Sequence, residues 1–310
     1  MHAPASALPT PAHKPTVALA LGAGGAKGLA HIGVIEELEQ QGFEIVAIAG
    51  SSMGALVGGI HAMGQLTVYR DWVCTLARLD VLRLADWTLS GGGFIKGERI
   101  MNTLRHLTGD VCIEDLPVAY TAVATDLDRG REVWLTQGSL FDAIRASTAL
   151  PTVFRPFELD GQRLVDGALL NPVPVTPLIR ERADYLLAVS LDGPALQVTT
   201  TAPGAPVPPA NDTTRHRLAR LVTRLVPHGT PHARAQGTFE LLNQSIDLMQ
   251  SHLSRLRLAV YEPDLLIQLP RDIANVYEFY RARELIERGR EQTRRMLAQW
   301  SPTALPPRAP

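Results

Sequence analysis

Gly50-Ser51-Ser52-Met53-Gly54 follows the apolar run Ile45 to Ala49 and precedes Ala55-Leu56-Val57. A serine hydroxyl becomes a usable nucleophile when it is held exposed, next to a base and beside donors for a developing oxyanion. A strand that turns sharply into a helix gives Ser52 that exposure. Gly50 and Gly54, two positions to either side, let neighbouring backbone pass where a Cβ would crowd. Taken alone, the pentapeptide fits a plain glycine-rich turn equally well. A second cluster, Gly22-Ala23-Gly24-Gly25-Ala26-Lys27-Gly28, follows the apolar run Val17 to Leu21. After it Ile32, Ile35 and Leu38 recur at helical spacing, with Glu36, Glu37, Glu39 and Gln40 on the other face and Gly42 as a C-cap. N–H groups of a loop at a helix start form an anion site, for a phosphate or for an oxyanion. Gly24, Gly25 and Ala26 are the candidate donors, and Lys27 and Gly28 complete the loop.

Nucleotide-binding alternatives fit this loop poorly. A dinucleotide fingerprint ending at Gly28 requires a glycine where Ala23 stands, and a Walker A loop requires a hydroxyl after its Gly-Lys pair, whereas Lys27 precedes Gly28. A tight turn with close helix–sheet packing remains the simpler alternative.

The base for Ser52 must come from far along the chain, and both a histidine and a carboxylate are open. In the order serine, acid, histidine, the candidates after the elbow are His61, His106, His216, His228, His232 and His252. His61 falls in the helix after the elbow, His252 in a long helical segment, and His216, His228 and His232 in a stretch rich in Pro, Thr and Arg. Asp166 closes a short apolar strand, and Gly167 provides a turn that exposes it, so that it could hydrogen-bond Ser52 directly. An ordinary aspartate, with a pKa of about 3.9, is a poor base, so this role requires burial. Without the two upstream loops, Asp166-Gly167 would read as a simple Asp-Gly turn. His31, one turn beyond the first loop, reads as a packing residue.

Four blocks in fixed order carry a family resemblance: the loop ending Gly25-Ala26-Lys27-Gly28, the elbow at Ser52, Ala146-Ser147-Thr148-Ala149-Leu150-Pro151, and Asp166-Gly167-Ala168. Over about Val17 to Leu191 the chain resembles bacterial patatin-like phospholipases. The resemblance implies a three-layer α/β/α fold around a mainly parallel sheet. It also implies a Ser52–Asp166 catalytic dyad, an oxyanion hole in the first loop, and hydrolysis of lipid acyl esters through an acyl-serine intermediate. The activity would be that of a lysophospholipase, a phospholipase A or an esterase. Ala23 replaces a glycine common in the family's loop, and Lys27 stands where arginine is more usual. The rival readings are an esterase with a Ser-His-Asp triad, a lipid-binding regulatory protein with incidental turnover, and, third, a dinucleotide-dependent dehydrogenase.

The elements that must position these residues alternate between apolar runs and helical patterns, as a largely parallel sheet requires. Strands are predicted near 17–21, 45–49, 119–124, 131–135, 163–165, 185–191 and 264–268. Helices are predicted near 27–41, 53–63, 66–79, 97–107, 139–146, 174–182, 236–258 and 281–299. A flexible arm over 1–15, one hydrolase domain over 16–300 and a Pro-rich tail over 301–310 make up the expected organisation. Within the domain, 193–226 reads as a mobile insertion. It starts with a stretch carrying Pro194, Pro203, Pro206, Pro208 and Pro209, and it ends in a basic amphipathic pattern over 215–226. That pattern suits either a lid or peripheral contact with anionic membrane, or simply a surface helix. Ser90-Gly91-Gly92-Gly93-Phe94 is a second candidate gating loop.

Composition narrows the classes further. The chain has 310 residues with a formal net charge of −1, which disfavours bulk nucleic-acid binding. Cys74 and Cys112 are far apart, and neither a metal nor a cofactor is expected. No apolar stretch reaches transmembrane length, and Met1 to Thr16 lacks a signal core, so a cytoplasmic protein is expected, with contact at the inner membrane face as an option.

Overall fold

The computed structural model describes residues 14–84, 97–151, 153–195 and 238–300. The 215–226 pattern, Ser90 to Phe94, the Pro-rich stretch after residue 195, residues 1–13, the tail over 301–310 and His216, His228 and His232 lie outside the described residues.

The strands are Thr16–Leu21 (β1), Glu44–Ser51 (β2), Ala119–Asp126 (β3), Arg131–Leu135 (β4), Phe157–Leu159 (β5), Gln162–Asp166 (β6), Tyr185–Gly193 (β7) and Leu265–Pro270 (β8). They form a sheet of order β5-β6-β3-β2-β1-β7-β8, with β4 also paired to β3. The β3-β2-β1-β7-β8 portion is parallel, and the β3–β4, β3–β6 and β5–β6 pairs are antiparallel. The helices are Ala30–Gln40 (α1), Met53–Ala62 (α2), Leu66–Val73 (α3), Arg78–Leu84 (α4), Glu98–Thr108 (α5), Leu140–Ser147 (α6), Thr238–Val260 (α7) and Ala282–Gln299 (α8).

The two faces of the sheet are unequal because β1 alternates large and small residues. Val17, Leu19 and Leu21 point to a thick core shared with α1, α2 and α8. Ala18 and Ala20, joined by Ala47, Ala49 and Ala188, point to the opposite face, where Val173, Val175, Leu178 and Leu258 pack. With period-2 side chains, a strand buried on both faces reads as an unbroken apolar run, and here the alanines let the 173–178 segment and α7 approach, which completes a three-layer α/β/α arrangement.

Three expectations need correction. The predicted helix over 174–182 is only a 3-10 turn, Thr176–Leu178. Pro172, Pro174 and Pro177 each remove an N–H donor and block regular helix. The helix predicted over 66–79 is two helices, because Thr75 Oγ1 bonds the Trp72 carbonyl and the Asp80 carboxylate accepts the Ala77 N–H at a new start. The helix predicted from 27 opens as a 3-10 turn, Gly25–Leu29, before α1 begins at Ala30. The short strand β5 had no pattern long enough to be read.

Candidate active site

β3 serves three partners with two edges. At Ala122 and Val123 it pairs with both β2 and β4, and at Ala124 to Asp126 with both β4 and β6. β4 therefore holds one edge alone, and β2 and β6 share the other. β2 runs parallel to β3 and ends at Ser51 opposite Val123, whereas β6 runs antiparallel and ends at Asp166 opposite Ala124. Two strands thus approach each other end to end, and the residues that leave their tips meet at the junction.

Ser52 Oγ donates to Asp166 Oδ2 at 2.6 Å. Ser52 sits in the turn between β2 and α2 with φ 55 and ψ −122. Such a conformation costs a non-glycine residue on the order of 1–3 kcal/mol. It is held by a relay: the Ser52 N–H donates to Ser147 Oγ at 3.0 Å, and Ser147 Oγ donates to the Val123 carbonyl at 2.6 Å. The room for this turn comes from Gly54, where a Cβ would stand 2.0 Å from the Leu21 carbonyl oxygen. α2 starts at Met53, so its positive end lies at the serine.

Asp166 is fully buried. Its Oδ1 accepts the Ala168 N–H at 2.8 Å, its carbonyl accepts the Thr125 hydroxyl, and its N–H donates to the Ala149 carbonyl. Burial pushes its pKa up to about 6, against the opposing pull of the Ser52 and Ala168 hydrogen bonds. Among the described residues no histidine bonds either group. His31 Nε2 bonds the Gly22 carbonyl at 2.7 Å and His61 approaches Glu39; burial lowers the pKa of both imidazoles to about 4.

The first glycine loop lies across from Ser52, and Gly25 and Ser52 line the same cavities. One expected oxyanion donor is already engaged: the Ala26 N–H donates to the Val276 carbonyl at 2.9 Å. Of the three expected donors, Gly24 and Gly25 have N–H groups that make none of the loop's hydrogen bonds to described residues. Lys27 reaches the other way, with Nζ 3.1 Å from the Leu191 carbonyl and 3.5 Å from Asp192. A Cβ on Gly28 would stand 2.3 Å from that of Met53, so Gly28 brings the loop against the start of α2.

The sequence matches the patatin-like phospholipase family model over residues 19–179. An uncharacterized NTE family protein of Mycobacterium tuberculosis is 40% identical over 94% of this chain and 93% of its own length. The chain belongs to the patatin-like phospholipase family. It is also similar to a lysophospholipase of Kluyveromyces lactis, 31% identical over 56% of this chain and 12% of that protein. A neuropathy target esterase of Drosophila melanogaster is 30% identical over 57% of this chain and 13% of its own length. Like its family, the protein is a phospholipase-type carboxylic ester hydrolase.

In this patatin-like hydrolase two cavities of opposite character open from Ser52. One, about 180 Å³, is walled by apolar side chains including Met53, Leu56, Leu104, Phe154 and Phe279. The other, about 190 Å³, also holds Asp166 and is walled by Lys27, Asp192, Asp247, Gln250, Arg271 and Asn275. Sequence reasoning assigned no role to Ser147 or, Lys27 apart, to these polar residues. Ser147 lay within a motif block already singled out, but its contact with Ser52 spans ninety-five positions. The polar wall comes from the first glycine loop, β7, α7 and the segment after β8, and no sequence spacing ties those together. No helix among the described residues is long and apolar enough to cross a membrane.

Proposed function

We propose that the protein hydrolyses carboxylic esters of lipids through a Ser52–Asp166 dyad and an acyl-serine intermediate. The observation that carries this reading is the 2.6 Å bond from Ser52 Oγ to a fully buried carboxylate whose pKa is raised to about 6. A carboxylate so tuned is ionised at neutral pH yet basic enough to accept a proton. Asp166 takes the Ser52 proton as Oγ attacks the ester carbonyl, and the Gly24 and Gly25 N–H groups donate hydrogen bonds to the oxyanion. As the tetrahedral adduct collapses, the proton passes from Asp166 to the leaving alcohol. Water then attacks the acyl-serine, giving its proton to Asp166. Collapse releases the fatty acid and returns that proton to Ser52.

The two cavities support an ester with unlike ends. The acyl chain enters the apolar cavity and the polar alcohol, glycerol-based in a lysophospholipase or phospholipase A reaction, faces the Lys27 and Arg271 side. Lys27, pinned toward Leu191 and Asp192, lines this polar side rather than the oxyanion position. The catalytic domain spans 16–300 in this reading, since α8, near its end, packs on α1 near its start.

Turnover of a short p-nitrophenyl ester tests the dyad, followed by a panel of phospholipids and lysophospholipids. Folded Ser52→Ala falls to background, and Asp166→Asn loses about 10²–10⁴-fold, the range of a general base. Wild-type turnover by either variant would overturn the mechanism.

A further inference from the structure

α7 is an amphipathic helix mounted with its polarity reversed. The side turned to the body carries Asp247 and Gln250 in the wall of the polar cavity, and Ser251 and Ser254, only 9% and 2% exposed. At 3.6 residues per turn, Leu241, Leu242, Leu248, Met249, Leu256 and Val260 fall within about 120° of arc on the other side. All six are exposed, Leu248, Met249 and Val260 by 66%, 65% and 71%. Single exposed apolar residues are ordinary, but a continuous stripe of them marks a surface that meets something other than water.

Charge and position on the helix say what that is. The arc holds no carboxylate; among the residues interleaved with the stripe are Ser245, His252 and Ala259, with Arg255 at its border. Arg257, well beyond the other edge, is turned to Glu132 of β4. The stripe therefore offers anionic headgroups no repulsion and one flanking guanidinium. Because the opposite side of the same helix walls the cavity holding Ser52 and Asp166, whatever covers the stripe lies about 10 Å away, one helix diameter. Tyr277, 51% exposed, lines the apolar cavity.

We infer that the outer face of α7 docks the enzyme on a phospholipid bilayer, setting both cavities at the interface from which the substrate is drawn. The inference rests on the lipid-ester reading of the Ser52 site, and it concerns a surface separate from the 215–226 segment. A helix of this kind lies in the interfacial plane with its apolar face sunk about 5–10 Å into the headgroup boundary.

The test is co-sedimentation of the full chain, as Ser52→Ala so that lipid is not consumed, with vesicles of phosphatidylcholine and phosphatidylglycerol. Leu248→Glu combined with Met249→Glu lowers the partition coefficient at least about tenfold, since each side chain loses its apolar burial. Leu248→Ser with Met249→Ser gives a smaller drop, and thermal melts establish that both pairs fold. In the Ser52-bearing enzyme the same pairs leave turnover of a soluble short ester unchanged and reduce turnover of vesicle-borne lipid. Three results would each overturn the inference: vesicle binding equal to that of Ser52→Ala alone, a dimer by sedimentation that the substitutions split, or lowered melting temperatures showing that the chain itself covers the stripe. Failure of the wild type on every soluble ester would instead overturn the lipid-ester reading, while the vesicle measurement still decides the docking.

Discussion

Asp166 holds the conflict at the centre of this site. Burial raises its pKa to about 6, so the group that makes a workable base is one the folded protein would rather keep protonated. On a soluble ester, kcat/KM is expected to fall as pH drops through about 6, an acidic limb that a pH–rate profile reads directly and that a histidine with an ordinary pKa would place nearer 6.5. The same shift has a thermodynamic sign. Between the ordinary value of 3.8 and about 6 the native state keeps a proton that the unfolded chain has lost, so raising pH across that window removes stability. Asp166→Asn has no such proton to lose. Denaturant unfolding at successive pH values should show the variant gaining on wild type from about pH 4 to about pH 6, by about 3 kcal/mol at most, and then a constant difference. A difference independent of pH would place the Asp166 carboxyl in an unperturbed environment.

At the scale of elements, the decisive feature is the head-on meeting of β2 and β6 along one edge of β3. The residue that follows the β6 tip has no space for a side chain: a Cβ added to Gly167 would stand 2.1 Å from the Val123 carbonyl oxygen and 2.7 Å from Ser51 Oγ. Gly167→Ala must push β6 back from the junction and carry Asp166 with it. Displacement of a catalytic group by about 1 Å can cost about 10²-fold, so kcat on a soluble ester should fall by that order while far-UV circular dichroism stays native. Full activity would mean the junction yields without moving the carboxylate.

Across the whole molecule, the strands that carry Ser52 and Asp166 are braced by helices far apart in the chain. α1, which follows the first glycine loop, packs on α8, and the buried Glu37 accepts two bonds from Arg294 at 2.8 and 3.1 Å. Glu36 on the same helix bonds Arg70 of α3 at 2.7 Å and Arg290 of α8 at 2.5 Å. Among the described residues, Arg294→Ala leaves Glu37 inside with only Gln41 donating to it. Removing one partner leaves a buried charge uncompensated, so the variant is expected to unfold at lower denaturant concentration, though less so than for a pair buried on both sides, because half of Arg294 is in water. Adding Glu37→Gln should restore part of that stability in chemical denaturation, because the uncompensated charge is gone. No recovery in the double variant would show that Arg294 contributes through packing alone.

The sequence by itself determined the local chemistry. Two glycine loops between strand and helix patterns, a serine in one of them and an Asp-Gly turn downstream are short-range features, and local backbone sterics decide them. It also determined that a largely parallel sheet must carry those loops, since alternating strand and helix periods admit few other arrangements. The tertiary structure decided which residue reaches Ser52, because the chain separations of Asp166 and of the six histidines after the elbow do not choose among them, and pairing along β3 brings Asp166 to the serine. It removed Ala26 from the donors by placing Val276, two hundred and fifty positions away, over its N–H. It also decided the pKa of Asp166 and the reversed face of α7. Burial, desolvation and the side of a helix that meets water are properties of packing, and packing joins residues that no spacing in the sequence connects.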